Sequence, residues 1–317
     1  MRPDLEYSKA KGVLLALILF GLFFYVPDVS KLLSQILKTN ISIYLIGLIL
    51  FSSVYPLTAL RWKRLCSVNY EVGFNQCLKI ISISYGINKI LPFNSGDIVR
   101  SKIMERYIDI ESHGDVLGLV AVERLSDIAV LTVLSTVPAF FIFSESLNIR
   151  NVLLLPALAV ITGFYLVRSK SSKLRETVKV LPETNLIDYK EILLDAIEGF
   201  NQLDKRYYAE TVLLTFVRWI FDILSLYVLA SSISMSFGFW SAALLTCVMS
   251  LVSSMPITPS GAGAAELSGT ALMTALGYEP AVGGALVLLQ RSFGVAFMGM
   301  VGLIVINYEG VNLQGFR

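Results

Sequence analysis

The chain is poor in the residues that metal and redox chemistry need. Of its 317 residues only one is histidine, His113, and three are cysteine, Cys66, Cys77 and Cys247. One imidazole cannot build a zinc site, and no HExxH or CxxC occurs, so metal catalysis is not expected. The cysteines are odd in number, unrelated in spacing and set in or beside apolar runs, which reads as buried small hydrophobes rather than a disulfide framework. DxD, DDxxD, GxGD and GxSG are absent too, which argues against lipid-linked glycosyl or polyprenyl transfer and intramembrane proteolysis. No cofactor is expected. Charge is equally scarce: 16% of residues are charged, where ordinary soluble domains carry about 25%. A net charge of +2 leaves no basic field for nucleic acid.

What the chain has in abundance is apolar sequence, 55% of it with a mean hydropathy of +0.68, and this marks an integral membrane protein. Runs long enough to cross a hydrocarbon core of roughly 30 Å are predicted at about 12–27, 41–60, 116–143, 150–168, 209–232 and 281–306. The first lacks a small-x-small cleavage site and reads as a retained span. Segments 76–110 and 241–278 are also apolar, but are broken near their middles at "ILPFNSGDIVR" and "SMPITPSGAGAAE". Such breaks are expected of re-entrant helix pairs, whose freed backbone groups must be received by protein or water.

Lysine and arginine in "RWKR" at 61–64 and along 168–207 place those segments, and with them both termini, in the cytoplasm of a multi-pass cell-membrane protein. Region 169–207 includes an amphipathic helix, expected in the cytoplasmic interface or packed on the bundle. In this topology the two broken segments enter from opposite sides. The whole chain, 1–317, therefore reads as one all-α transmembrane domain of six full spans and two re-entrant pairs, built from inverted repeats at about 12–143 and 150–306. Inverted repeats are a transporter feature, with the substrate path at the repeat interface.

Asp97, Arg100, Glu123, Arg124, Asp127, Arg218, Asp222, Glu266 and Arg291 fall within or at the edge of the membrane. Each unpaired charge at the bilayer centre costs roughly 2.5–3.5 kcal/mol on insertion scales, so they must be paired or hydrated. Arg218 and Asp222 stand four apart on one helix face and are expected to neutralise each other as a structural ion pair. Glu123 and Asp127 have the same spacing but like charge, so they need an outside cation, for which Arg100, Arg124 and Arg291 are available. A buried network that only fixes the bundle would use the same residues. "GAGAAE" at 261–266 lacks the third glycine and the preceding strand of a dinucleotide fingerprint, and is better read as a tight turn.

The motifs "NKILPFNSGDIVR", "VERLSDI", "PITPSGAGAAE" and "LLQRSFG" together resemble, over nearly the whole chain, the flippase-like family represented by the transmembrane region of lysylphosphatidylglycerol synthase, the multiple peptide resistance factor. The first break itself falls at Pro92 and Ser95-Gly96; the resemblance places the family's proline, glycine and arginine there on Pro92, Gly96 and Arg100, and its Glu-Arg-x-x-Asp motif on Glu123, Arg124 and Asp127. It places the second motif on Pro259, Gly261, Gly263 and Glu266, in the hairpin that Pro256 also interrupts, with Ser260 where the family usually has glycine, and the late arginine on Arg291. It implies a non-enzymatic lipid translocase, moving a phosphate-bearing, aminoacylated or polyprenyl-linked head group. Its partners would be a membrane lipid and, where transport is coupled rather than downhill, an ion, and Arg100, Glu123, Arg124, Asp127, Glu266 and Arg291 would bind substrate. An ion-coupled carrier of a small polar solute uses the same residues, and an enzyme acting on a lipid-linked substrate is the remaining alternative.

Overall fold

The computed structural model describes residues 28–90, 95–110, 112–143, 204–254 and 261–311, with positions 162, 176, 194 and 197. All regular structure in these residues is helical. A short helix α1 (Val29–Leu37) is capped by Asp28, whose carboxylate accepts from the Lys31 N–H at 2.9 Å. Asn40 caps α2 (Ile41–Ser52) through the Ser42 and Ile43 N–H groups. After Ser53, itself in the right-handed helical region, α3 (Val54–Cys66) continues. Next come α4 (Phe74–Ile90), the short α5 (Ser95–Ile98) and α6 (Arg100–Met104), and the long α7 (His113–Ile142). Then follow α8 (Lys205–Ser232), α9 (Phe239–Ser254), α10 (Ala264–Ala275) and α11 (Pro280–Arg291). A π-helical turn, Ser292–Phe297, joins α11 to α12 (Met298–Tyr308).

Among the described residues four helical stretches are long and apolar enough to span a bilayer: Ile41–Cys66, His113–Ile142, Lys205–Ser232 and Pro280–Tyr308. They coincide with four of the six expected spans, and the protein is a multi-pass membrane protein. The expected spans at 12–27 and 150–168, the amphipathic helix, and both termini lie outside the described residues, apart from the isolated positions within them. Pro92, Pro256 and Pro259 lie outside them as well. The exposed surface fits a lipid solvent: Ile41, Ile49, Phe141, Leu213 and Ile304 all point outward, which in water would be a large apolar patch. Cys66, Cys77 and Cys247 are unpaired and fully buried, as small hydrophobes.

Packing pairs the helices crosswise. α2 lies along α8, α4 along α12, and α9 along α7. The α4–α12 contact is backbone against backbone, since a Cβ on Gly302 would lie 2.2 Å from Gly86 Cα. Small residues allow such approach where apolar lipid gives helices no hydrophobic drive to associate. Gly302→Val is therefore expected to abolish a monodisperse size-exclusion peak in detergent. Gly294→Ala, whose Cβ would meet nothing within 4 Å, is the matched control and should leave the profile unchanged.

Candidate functional site

The polar core begins at α5. Gly96 sits so close to α4 that a Cβ would lie 1.9 Å from the Ser84 carbonyl oxygen. Its N–H donates to Asn88 Oδ1 at 2.7 Å, and its carbonyl accepts from Ser84 Oγ at 2.8 Å. This pinning sets Ser95 at the start of α5 and turns the neighbouring Asp97 inward. Asp97 Oδ1 accepts from Asn88 Nδ2, Arg100 Nη2 and Arg124 Nη2 at 3.2, 2.8 and 2.9 Å.

Arg100 is fully buried, lies 4.6 Å from the Trp62 ring centroid, and donates its other arm to Glu123 Oε2 at 2.9 Å. Glu123 also faces Arg61, whose Nη2 is 2.9 Å from Oε1, an ionic contact without hydrogen-bond geometry. Arg61 Nη1 donates to Asp127 Oδ1 at 2.8 Å and to Thr215 Oγ1 at 2.7 Å. Asp127 further accepts from Trp219 Nε1 at 3.2 Å and from Arg218 Nη2 at 3.4 Å, with Arg124 Nη1 3.7 Å away. The like-charge stack of Glu123 and Asp127 is thus clamped by arginines from three other helices.

A second, smaller cluster closes the opposite wall. Gly263, at φ +83°, starts α10, and its N–H donates to Glu266 Oε2 at 2.6 Å. Gly261 also has a positive φ, +66°, where other residues are strained. The other carboxylate oxygen of Glu266 accepts from Arg291 Nε at 2.6 Å.

Between the clusters lies a cavity of about 340 Å³, bounded by α2, α3, α4, α7, α8, α9, α11, the π turn and α12. Its charged lining is Lys89, Arg124, Arg218 and Arg291, with Asp127 and Asp222. Asp127 is already engaged by arginines, so the wall presents positive charge to whatever enters. Phe51, Leu131, Met249 and Met298 make the rest apolar, a composition usual for ligand sites.

The arrangement departs from expectation in three respects. Arg100 and Glu123 lie behind the cavity wall rather than on it, and Glu266 stands behind Arg291. Arg218 does not pair with Asp222: no ion pair joins them, because the guanidinium lies 3.7 Å over the Trp219 ring and reaches across to Asp127. Two cations were missed. Arg61 was counted with a cytoplasmic basic loop, yet it is 1% exposed and central to the network. Lys89, in the first broken segment, is not among the expected membrane charges, yet it lines the cavity. The unmet demand of Glu123 and Asp127 for cations was the available signal for Arg61. Among the described residues no group of histidine, cysteine, aspartate or glutamate could hold a metal.

Comparison with known proteins places these features in a wider set. A family described as "Lysylphosphatidylglycerol synthase TM region" matches residues 10–302. A UPF0104 membrane protein of Methanocaldococcus jannaschii is 22% identical, with 98% of each chain covered. Another, of Pyrococcus horikoshii, is also 22% identical, over 93% of this chain and 94% of its own.

Proposed function

The chain belongs to the lysylphosphatidylglycerol synthase TM region family, and from that premise we propose that it is a lipid translocase which passes a phosphate-bearing head group through the central cavity. The observation that carries this reading is the cavity's charge. Four cations converge there from α4, α7, α8 and α11, and two of them, Arg124 and Arg291, come from opposite halves of the chain. Arginine forks suit phosphate oxygens, and Lys89 adds a compact point charge. The apolar share of the wall accommodates the glycerol or first acyl carbons, while the tails stay in the bilayer.

The helix pairing supports an inverted repeat. In the first half α4 opens the broken segment and α7 closes the repeat; in the second, α9 and α12 take those places. Each opening helix packs on the closing helix of the other half, which is what an axis in the membrane plane would produce. Under this reading α4 with α5 and α9 with α10 are the two re-entrant pairs, and the cavity is the crossing point between the halves. Arg100, Glu123 and Arg61 hold the first tip and α7 in place, while Glu266 orients Arg291.

The test uses purified protein in phosphatidylglycerol–phosphatidylcholine vesicles carrying fluorescent phospholipid, with dithionite added outside. Wild-type protein should carry quenching past the protected half, and Arg291→Gln should slow it at least tenfold. If neither differs from empty vesicles although the protein binds free inorganic sulfate, the cargo is a small anion and the lipid reading is wrong.

A further inference from the structure

Asp222 has no role in the ion-pair network just described. It is 6% exposed, lines the cavity, makes no ion pair within 4 Å among the described residues, and its Oδ1 accepts no hydrogen bond. A buried carboxylate in that position is strongly destabilised as an anion unless a cation or a proton reaches it. Every other acidic side chain in the site is held: Asp97 by Arg100 and Arg124, Glu123 by Arg61 and Arg100, Asp127 by Arg61 and Arg218, Glu266 by Arg291.

We propose that Asp222 is the proton site of the transporter, and that a proton taken up there travels with the anionic head group. This rests on the cavity being the anion path. Its logic is electrostatic: an anion drawn in by Lys89, Arg124, Arg218 and Arg291 arrives beside a second negative charge if Asp222 is ionised. Binding the proton removes that repulsion, so anion and proton each favour the other's binding, by the same factor in both directions. Charge movement is reduced as well, because a monoanionic phosphodiester and a proton cross as a neutral pair.

The groups facing Asp222 are few and have other engagements. On its own helix Arg218 turns to Asp127, and from α4 Lys89 is the other cation acting on it. From α7 come Arg124 and Asp127, from α9 Cys247, and from α11 Arg291. On α2 Tyr44 is hydrogen bonded to Ser292, and on α3 Tyr55 is bonded to the Met298 carbonyl and Arg61 to Asp127. None of these places a cation within 4 Å of the carboxylate. Asp127 and Glu266 are unsuited to the role, since protonating either would strand its arginine partners.

The test is calorimetric titration of the full-length protein in detergent with sodium sulfate, whose charge is constant between pH 5 and 8, in two buffers of different ionisation enthalpy. Wild-type protein should take up protons as sulfate binds and gain affinity as pH falls, by up to about tenfold per pH unit where the carboxyl titrates. Asp222→Asn should bind at the wild type's low-pH affinity throughout, with no linked proton. Lys89→Met should bind more weakly but keep the proton uptake. Should Asp222→Asn retain the linkage, or Lys89→Met lose it, the assignment to Asp222 is overturned while the anion site stands. Affinity that follows sodium at fixed pH would overturn the proton in favour of a metal cation. No sulfate binding by the wild type removes the anion path itself, and this proposal with it.

Discussion

Arg61→Met is expected to destabilise the detergent-solubilised protein by about 3–5 kcal/mol, the usual penalty for removing one partner from a buried ion pair. That is a large share of a typical total of about 5–15 kcal/mol. The size follows from the geometry. Arg61 is 1% exposed and touches Glu123 at 2.9 Å and Asp127 at 2.8 Å, one turn apart on α7, so it alone bridges the two stacked carboxylates. Remove it and, among the described residues, Glu123 keeps Arg100 as its cation, while Asp127 keeps the Trp219 Nε1 hydrogen bond at 3.2 Å and the cations Arg218 and Arg124 at the longer distances of 3.4 and 3.7 Å.

A charge-balanced double variant separates pairing from packing. Arg61→Met with Glu123→Gln removes one charge of each sign and leaves Arg100 with Asp97, so it should recover more than half of the lost stability. Thermal unfolding followed by size-exclusion fluorescence measures both. A single variant as stable as the wild type would show that Arg61 is not the bridge. Equal losses in the single and double variants would place its contribution in packing against α7 and α8 instead.

How far this network was legible in the sequence depends on which physical rule governs each residue. The spans could be read because hydrophobic length is a local property, and the like charges at 123 and 127 could be read because helical spacing is local too. The identity of the bridging cation is not local. Arg61 follows the apolar run as the first residue of a cluster that looks like a cytoplasmic loop, and its depth is set by burial of Trp62, Leu65 and Cys66 around it. The positive-inside rule counts such arginines without knowing which way they face. The Arg218–Asp222 spacing permits a pair, but stacking on Trp219 and the pull of Asp127 from α7 outweigh a contact worth only about 0.2–0.5 kcal/mol on an isolated helix. Local rules thus found the residues that must be compensated, and tertiary packing chose the partners.

Lys89 is where the transport reading is most exposed to test. Lys89→Glu is expected to reduce lipid translocation to the level of empty vesicles, Lys89→Met to reduce it at least tenfold, and Lys89→Arg to preserve most of it. At an effective dielectric of about 20, a phosphate passing about 6 Å from one cation gains roughly 3 kcal/mol, so losing that charge is worth up to about 100-fold and reversing it roughly doubles the energy. The order Arg, Met, Glu follows charge rather than side-chain size, which is what separates an electrostatic role from a structural one. The thermal midpoint of each variant, measured alongside, should not follow that order. Lys89 sits at the last turn of α4 and lines the cavity. If translocation is unchanged in Lys89→Glu while the fold is intact, the head group does not pass this wall, and the four cations are part of the scaffold instead of the path.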